Sequence, residues 1–321
     1  MKAAVYQTYG PPEVLKIMDI DPPAFGEEHT DRVLIEVHHA SVNPFDYLHR
    51  SGYLPVRLSN GFLTPKEQVL GIDVAGRVIR IGSGVTRFQV GDLIYGNCLG
   101  SHAETVRARE NTISVMPKNL TTHQAAAVPT AALTALQALR DGAQITSGQK
   151  ILINGASGGI GHFAVQISKF YEGEVTAVCS TANLSWVKEL GADHVIDYTR
   201  EDFTKNGMQY DVIFDAVAKK TYFNCKPSLT PTGVYITENP LRPAGQAFQV
   251  LFSAVIRDRH LKTHLTQPGY EDLDFLRKLI ETEKLKPVIE KIYPLNAIAA
   301  AHRHVQNGHT QGKIVIAVQP G

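Results

Sequence analysis

The chain has 321 residues, of which 43% are hydrophobic and 20% charged, and its 32 basic and 31 acidic side chains leave a formal net charge of +1. This length is enough for two domains, and the composition is ordinary for a globular enzyme. Balanced charge without a basic run argues against nucleic acid as a partner. Three scattered cysteines give no disulfide framework, and no apolar run reaches membrane-spanning length. We therefore expect a cytoplasmic protein without a membrane span.

The first 120 residues are typical of a β-rich domain. Val33, Ile35 and Val37 alternate with other residues, as they do in a strand with one buried face. Glycine and proline turn signals separate such segments, which indicates a small barrel or sandwich. Asn43-Pro44 predicts the start of a short helical turn within this region.

The pattern changes near Thr122. An alanine-rich, helix-periodic segment at 123–139 comes first, and strands and helices then alternate. The predicted strands are mostly continuous apolar runs, which favours a parallel sheet covered on both faces. The sequence predicts strands at 151–154, 175–179, 194–197, 210–215 and 233–237, helices at 160–171 and 183–190, and then a helix at 270–283 and a strand at 312–316.

A glycine-rich turn joins the first of these strands to its helix. Gly155 permits a tight turn, Gly158 allows the backbone to approach a phosphate, and Gly161 allows the helix to pack on the strand. The helix N-terminus then offers N–H groups and a positive dipole end to a pyrophosphate. Because the spacing is G-x-x-G-x-x-G rather than G-x-G-x-x-G, the glycines alone are a weak signal for a dinucleotide site.

The residues at the end of the second predicted strand indicate which dinucleotide binds. NAD-preferring folds usually carry a carboxylate there, which bonds the ribose 2′-hydroxyl. Here the strand ends in Cys179, Ser180 and Thr181, and no acidic residue follows directly. Short hydroxyl side chains tolerate a 2′-phosphate, so we expect NADPH rather than NADH. Alternatively, Ser180 and Thr181 cap the helix that follows them.

Further motifs along the chain carry a family resemblance. In order, they are 40–46 (ASVNPFD), 70–78 (LGIDVAGRV), 90–92 (VGD), 129–135 (PTAALTA), 190–198 (LGADHVIDY) and 308–313 (GHTQGK). Together the chain resembles the zinc-independent quinone oxidoreductase branch of the medium-chain dehydrogenase/reductase superfamily. The resemblance implies an α/β plus β-rich fold. Its GroES-like catalytic domain would comprise 1–123 and 261–321, and a Rossmann domain would span 124–260.

Zinc-binding members of that superfamily place a cysteine where Asn43 stands and a His-Glu pair where Ile72 and Asp73 stand. Isoleucine has no donor atom and asparagine is a poor zinc ligand, so we expect no metal. Histidine pairs such as His38-His39 and that of 302–304 are interpreted as surface residues. Without zinc to bind an alkoxide, the easier reaction is hydride delivery to an electron-poor acceptor such as a quinone or an α,β-unsaturated carbonyl.

The resemblance also implies site residues. The pyrophosphate would lie on the glycine turn, which comprises Gly155, Ser157, Gly158, Gly159, Ile160 and Gly161. The adenosine ribose and its phosphate would lie at Ser180, Thr181 and Tyr198. The nicotinamide end of the cofactor would lie near Thr134, Val217 and Lys313. Thr134 could instead bond its own helix, and Lys313 could be a solvated strand residue.

On the substrate side, four residues are candidates. Asn43 could hydrogen-bond a carbonyl oxygen, and Asp46 is either functional or a helix N-terminal residue. Tyr47 and Tyr53 could stack on a quinone or supply a proton, although aromatic residues more often serve packing.

Two alternatives stay open. An enoyl-thioester reductase would need basic residues for a phosphorylated arm, for which Arg50, Arg57 and Lys66 are available. A non-catalytic NADPH-binding protein, crystallin-like or RNA-binding, is the other. We expect a homo-oligomer, most simply a dimer, and a pocket whose width depends on the loops 51–66 and 239–266.

Overall fold

The computed structural model describes residues 1–238 and 259–319, and the chain divides into two compact units. The first unit comprises Met1–Thr130, Pro268–Glu283 and Pro287–Gly321, and the second comprises Ala131–Gln267 and Lys284–Lys286. The chain passes from the first unit to the second after Thr130 and returns after Gln267, in each case a few residues later than the sequence predicts. At the first boundary, Thr130 is hydrogen-bonded to Asp73 and so stays with the first unit. Of the predicted pocket loop 239–266, residues 239–258 lie outside the described part.

The first unit is β-rich, as the alternating pattern predicts, and its strands pair antiparallel except for β14 and β15, which pair in parallel. Its main sheet has the order β14-β15-β3-β4-β5-β7, with β6 on β3, and β1 pairs with β2. Apolar side chains such as Val33, Ile35 and Val37 are fully buried in its core. The strands are β1 Lys2–Val5, β2 Lys16–Asp19, β3 Arg32–Val42, β4 Asp73–Ile81, β5 Leu93–Asn97, β6 Thr105–Arg109, β7 Ile113–Val115, β14 Ile289–Pro294 and β15 Lys313–Ala317.

The first unit also contains helices. They are α1 Pro44–Ser51, α2 Leu54–Asn60, α3 Thr122–Ala126, α8 Tyr270–Glu281 and α9 Ile298–Asn307. Helix α1 begins at the predicted Asn43-Pro44, and Gly52, in the left-handed conformation, ends it. The predicted helix 123–139 was wrong as one element, because Pro129 has no N–H to continue α3 and begins a new helix.

The second unit is an α/β sandwich of the kind predicted. Its parallel sheet has the order β10-β9-β8-β11-β12-β13. The strands are β8 Lys150–Asn154, β9 Glu174–Cys179, β10 His194–Asp197, β11 Tyr210–Asp215, β12 Leu229–Thr237 and β13 Leu261–Thr263, and the helices are α4 Pro129–Gln137, α5 Gly161–Phe170, α6 Leu184–Glu189 and α7 Tyr222–Cys225. In the described ranges, up to 238 and from 259, no helix is long and apolar enough to cross a membrane.

Candidate active site

A buried carboxylate, Asp73, organises the polar interior of the first unit. Asp73 lies at the start of β4, is fully buried, and accepts hydrogen bonds from two neighbouring strands and from the Thr130 backbone and hydroxyl. The side-chain donors are Ser41 Oγ at 2.5 Å, Asn43 Nδ2 at 2.9 Å and Asn97 Nδ2 at 3.1 Å. A buried ionised carboxylate needs such donors, because none is available from water.

The counter-charge comes from the other end of the chain. Lys313, in β15, is 4% exposed, and its Nζ lies 2.5 Å from Asn43 Oδ1 and 3.3 Å from Asp73 Oδ2. Both ends of the Asn43 amide are therefore engaged inside the protein. The alternative interpretation of Lys313 as a solvated residue was wrong, because its ammonium completes this network.

Asp46 has a local structural task. It is the third residue of α1, and its carboxylate accepts hydrogen bonds from the Asn43 N–H at 2.7 Å and from the Gly71 N–H at 3.0 Å. This closes a capping box and ties α1 to the segment before β4. Burial raises the pKa of Asp46 to about 7, against the lowering effect of these two hydrogen bonds.

The same network decides whether the unit could hold zinc. Ile72 supplies no ligand atom, Asn43 is engaged at both ends, and the Lys313 ammonium lies beside the only carboxylate at these positions. The donor set does not fit a dication, since an ammonium repels a cation and zinc needs three or four N, O or S ligands. Within residues 1–238 and 259–319, no three His, Cys, Asp or Glu side chains form a metal-binding group.

The histidines near this network are not all on the surface. His38 is 4% exposed and His302 is fully buried, so their interpretation as surface residues was wrong. His302 packs edge-on against His102, with ring centroids 5.6 Å apart, and burial lowers the pKa of both rings, that of His102 to about 4. His38 lies in β3 and His302 in α9, and the sequence pattern alone gives no signal of their burial.

A cavity of about 200 Å³ opens beside α1 in the first unit. Its wall includes Phe45 and His49 from α1, Asn60 from α2, and Tyr6. Asn60 donates to Tyr6 Oη at 3.2 Å, so the phenol accepts this bond and retains its own proton. Burial raises the pKa of Tyr6 to about 12, which keeps the phenol protonated at neutral pH. Tyr6 is itself fully buried, so it backs this wall without exposing its hydroxyl to solvent.

The two predicted tyrosines lie elsewhere. Tyr47 is half-buried in α1, and Tyr53 precedes α2 with 39% exposure. Neither is among the residues that form the cavity wall. The structure thus brings Asn43 and Asp46 into one network and leaves the two tyrosines outside it.

In the second unit, the glycine turn has the geometry of a phosphate cradle. Gly155 has φ +84°, a conformation that favours glycine. A Cβ on Gly161 would lie 2.1 Å from the Gly155 carbonyl oxygen, so only glycine allows α5 to start this close to β8. A Cβ on Gly158 would meet only that oxygen, at 3.4 Å. Between them, Ser157, Gly159 and Ile160 are partly exposed.

An acidic side chain next to this turn fixes the loop after β11. Asp215 is fully buried and accepts hydrogen bonds from Asn154 Nδ2, from the N–H groups of Val217 and Ala218, and from Tyr235 Oη at 2.7 Å. The Val217 side chain lies against Gly155, where a Cβ would meet it at 2.2 Å. Val217 is 39% exposed beside the turn.

A carboxylate does lie near the end of β9, the second strand of this unit, but it belongs to β10, the third strand. Asp197, the last residue of β10, accepts hydrogen bonds from the hydroxyl of Thr181 and from the N–H and hydroxyl of Thr199. Those bonds, chiefly that of Thr181, lower the pKa of Asp197. Arg200 Nε lies 3.7 Å from Asp197 Oδ2, and its side chain is 78% exposed. Tyr198, between them, is 48% exposed.

The remaining predicted residues have ordinary contacts. Ser180 stands at the N-cap position of the short turn Thr181–Asn183, but its side chain makes no capping bond to a backbone N–H, and its Oγ accepts a hydrogen bond from the side-chain Nδ2 of Asn183. Thr134 is 5% exposed in α4 and accepts a hydrogen bond from Thr266 Oγ1 at 3.0 Å, not from its own helix.

Sequence reasoning missed three residues of interest. Asp73 enters the sequence prediction only as a position of the zinc-binding members' His-Glu pair, although a carboxylate inside the apolar run 70–75 is a signal of a buried, paired charge. Arg200, which follows the predicted strand 194–197, is absent from the predicted cofactor residues. Tyr6 gives no signal, because its hydrogen-bond partner comes from α2, more than fifty residues away.

Comparison with known proteins identifies relatives over the whole chain. Residues 29–136 match the family model for the alcohol dehydrogenase GroES-like domain, and 190–316 match that of zinc-binding dehydrogenases. A quinone-oxidoreductase homolog of Spinacia oleracea is 34% identical over 98% of both chains. An NADPH-dependent alkenal/one oxidoreductase of Arabidopsis thaliana is 32% identical over 98% of this chain and 79% of its own. The solved quinone oxidoreductase from Coxiella burnetii superposes with a TM-score of 0.88 at 34% identity, covering 99% of each chain.

Proposed function

Because the chain belongs to the quinone oxidoreductase branch of the medium-chain dehydrogenase/reductase superfamily, we propose that it transfers hydride from NADPH to a quinone or an α,β-unsaturated carbonyl, without a metal. The observation that carries the proposal is the closed network of Asp73, Asn43 and Lys313. It fills the positions at which zinc-binding members hold their metal. A reaction that needs no alkoxide ligand suits such a site.

The second unit would hold the dinucleotide. When bound, a reduced nicotinamide supplies the hydride, and the protein supplies position and electrostatics. In this proposal the backbone of Gly155 to Gly161 receives the pyrophosphate, with α5 directing its N-terminus at the charge. Val217, held by Asp215, would support the ribose, and Thr134 would face the nicotinamide amide.

The residues at the end of β10 would set the preference for NADPH over NADH. Thr181 donates its proton to Asp197, so this hydroxyl has no proton left for a phosphate. The exposed guanidinium of Arg200 is the cation that sequence reasoning did not find after β9. We assign the 2′-phosphate to Arg200, with Tyr198 and Ser180 as hydrogen-bond donors, and treat Asp197 as the group that holds the turn.

In the first unit, we infer the role of each site residue from its exposure to solvent. Asn43, Asp46 and Lys313 are buried and engaged, so we propose that they position α1 and the wall that it forms. Tyr6 is equally buried, so we propose that its hydroxyl, with Asn60, holds the cavity wall in place. Tyr47 and Tyr53 remain proposed aromatic contacts for a flat acceptor.

The thioester alternative has weaker support. A phosphorylated arm needs free cations, but Arg50 is fully buried, with bonds to the Gly10 carbonyl and Gln306. Arg57 donates to two backbone carbonyls and stacks on Tyr9 at 4.6 Å. A non-catalytic NADPH-binding role would leave the cavity beside α1 without a purpose.

The proposed function is tested by oxidation of NADPH and NADH with quinones and enones. We expect turnover with NADPH, and metal chelation should not change it. Arg200→Ala should raise the Kd for NADPH about tenfold and that for NADH less than about twofold, since one charge-assisted bond to the phosphate is lost. Lys205→Ala, an exposed cation of the same unit, is the matched control. No turnover with any such acceptor would overturn the proposal.

We also propose that the protein is cytoplasmic and that it forms a homodimer. Cell fractionation would test the compartment, and light scattering after gel filtration would test the oligomeric state. Relatives from Arabidopsis thaliana and Spinacia oleracea carry chloroplastic names, which concern those proteins.

A further inference from the structure

Five arginines converge on one face of the main sheet in the first unit. They come from three neighbouring strands, and we call the surface that they form the arginine face. They are Arg32 of β3, Arg77 and Arg80 of β4, and Arg107 and Arg109 of β6. The sequence contains no basic run, so this concentration of charge arises from strand pairing and not from neighbours along the chain.

The strand register places these side chains next to one another. Arg32 is paired directly with Arg109. Leu34, two residues along β3, is paired with Arg107 on one side and with Arg80 on the other. Directly paired residues point to the same face of a sheet, and so do residues two apart on one strand. The arginines therefore form adjacent rows on a single surface.

This surface is the side of the sheet that faces away from the core. The residues that alternate with the arginines are buried in the core cluster, and they are Val33, Val78, Val106 and Ala108. The arginines themselves reach solvent, and the exposed ones are Arg77, Arg80 and Arg109, whereas Arg32 and Arg107 are half-buried.

Little negative charge is available on the arginine face. Within the part of the chain that the structure describes, only Arg32 of the five forms an ion pair, with Asp31 at 3.3 Å. Glu36 is paired with Arg77 in the strand register, but its carboxylate lies 3.5 Å from His38 Nε2. Like charges directly opposite each other destabilise a sheet, and a bound anion would offset this repulsion between Arg32 and its partner on β6.

Two of the arginines are oriented by the loop that borders the face. Arg107 Nη1 donates to the Ala24 carbonyl at 2.6 Å and also contacts His29 Nε2. The Arg80 guanidinium lies over the Phe25 ring, 4.9 Å from its centroid. None of these groups carries a negative charge, so the guanidinium charges stay available to an anion. Oriented side chains lose little conformational freedom when a ligand binds.

The size of the face and its border favour a small ligand over a long polyanion. Neighbouring strands lie about 5 Å apart and successive rows about 7 Å apart, so several guanidinium groups can reach one small molecule. The bordering loop carries exposed carboxylates, which repel the phosphates of a nucleic acid or of an anionic membrane; they are Asp21, Glu27, Glu28 and Asp31. Arginine binds phosphate in a bidentate manner, and a polyphosphate concentrates several negative charges in a small volume.

We propose that the arginine face binds a compact polyphosphate, a small molecule that carries two or three phosphoryl groups. The inference does not rest on the proposed function. Every residue that carries it belongs to the first unit, whereas the pyrophosphate of NADPH is assigned to the second.

Titration calorimetry with inorganic tripolyphosphate tests the proposal, with NADPH present at saturation to occupy the glycine turn. The natural protein should bind it with a Kd below about 100 µM, and Arg107→Gln and Arg109→Gln should each raise this Kd about tenfold, because one charge-assisted pair is lost. Arg303→Gln, at an exposed arginine of the same unit that pairs with Glu13, should retain the Kd of the natural protein. ATP and fructose 1,6-bisphosphate, titrated in the same way, distinguish a nucleoside triphosphate from a sugar bisphosphate as the source of the phosphoryl groups.

Thermal unfolding separates anion binding from a structural role of the arginines. Without ligand, Arg109→Gln should melt at the same temperature as the natural protein or higher, because the repulsion between Arg32 and Arg109 is removed. Tripolyphosphate should raise the melting temperature of the natural protein and of Arg303→Gln more than that of Arg109→Gln. A lower melting temperature of Arg109→Gln without ligand would make Arg109 a structural residue and would contradict the proposal.

Two further results would overturn the proposal. They are the absence of tripolyphosphate binding to the natural protein, and a Kd that is unchanged in both Arg107→Gln and Arg109→Gln. Binding of single-stranded RNA or of phosphatidylglycerol vesicles that is tighter than that of tripolyphosphate, and is lost in Arg109→Gln, would assign the face to a nucleic acid or to a membrane instead.

Discussion

Tyr6 illustrates how a single residue acquires a function from its neighbours. The phenol is buried, its pKa is raised to about 12 by burial, and its oxygen accepts a hydrogen bond from Asn60. A buried hydroxyl that accepts such a bond satisfies an amide N–H that has no access to water, and it ties α2 to the residue after β1. Neither the position of Tyr6 directly after β1 nor any motif indicates this, because α2 provides the partner.

We expect Tyr6→Phe to lower the free energy of unfolding by about 1–3 kcal/mol, because Asn60 loses a buried hydrogen-bond acceptor. The ring and its packing remain, and only the hydroxyl is lost. Urea unfolding measures the effect. Tyr293→Phe removes a phenol that bonds His304 in the same unit, and serves as the control. Equal stability of Tyr6→Phe and the natural protein would contradict this role of Tyr6.

The glycine turn is the element whose sequence and structure agree most directly. The predicted strand 151–154 and helix 160–171 correspond to β8 and α5, and the turn between them is so tight that a Cβ on Gly161 would clash with the Gly155 carbonyl. Local spacing was sufficient here, since a strand, a short turn and a helix require only neighbouring residues. The Asp215 contacts that complete this loop could not be predicted, because β11 follows some sixty residues later.

Two substitutions in the turn should have different effects. Gly161→Ala places a Cβ against backbone oxygen, so we expect a lower melting temperature and loss of NADPH binding. Gly158→Ala makes only an ordinary contact, at 3.4 Å, so the melting temperature should change little. Its methyl group would nevertheless keep phosphate from the backbone, and the Kd for NADPH should rise at least tenfold. Circular dichroism and fluorescence titration provide the two readouts.

At the scale of the whole molecule, buried ionisable groups link stability to pH. Burial lowers the pKa of His102 to about 4 and that of His302 well below its ordinary 6.5. The unfolded chain binds protons at these rings below pH 6.5 while the folded chain does not, so their effect is to lower stability as pH falls. Asp46 acts in the opposite sense, because its raised pKa, about 7, gives stability that is lost as pH rises through 7.

We expect His302→Phe to reduce the loss of unfolding free energy between pH 6.5 and 5, by up to about 1.4 kcal/mol per pH unit. The variant lacks one ring that the unfolded chain protonates in this range. Urea unfolding at several pH values measures the slope. His309→Asn, at an exposed position, should keep the slope of the natural protein. A slope unchanged in His302→Phe would contradict the assignment.

Local periodicity and the identity of single residues were enough to predict the β-rich segments, the parallel α/β unit and the glycine turn, and to show that Asn43 and Ile72 are poor zinc ligands. The contacts of Lys313 with Asn43 and Asp73, of Asp197 with Thr181 and of Asn60 with Tyr6 could be read only from the fold. Each of these contacts joins residues far apart in the chain. Side-chain identity fixes what a group can donate or accept, and only the fold determines which partner it meets and how much water remains.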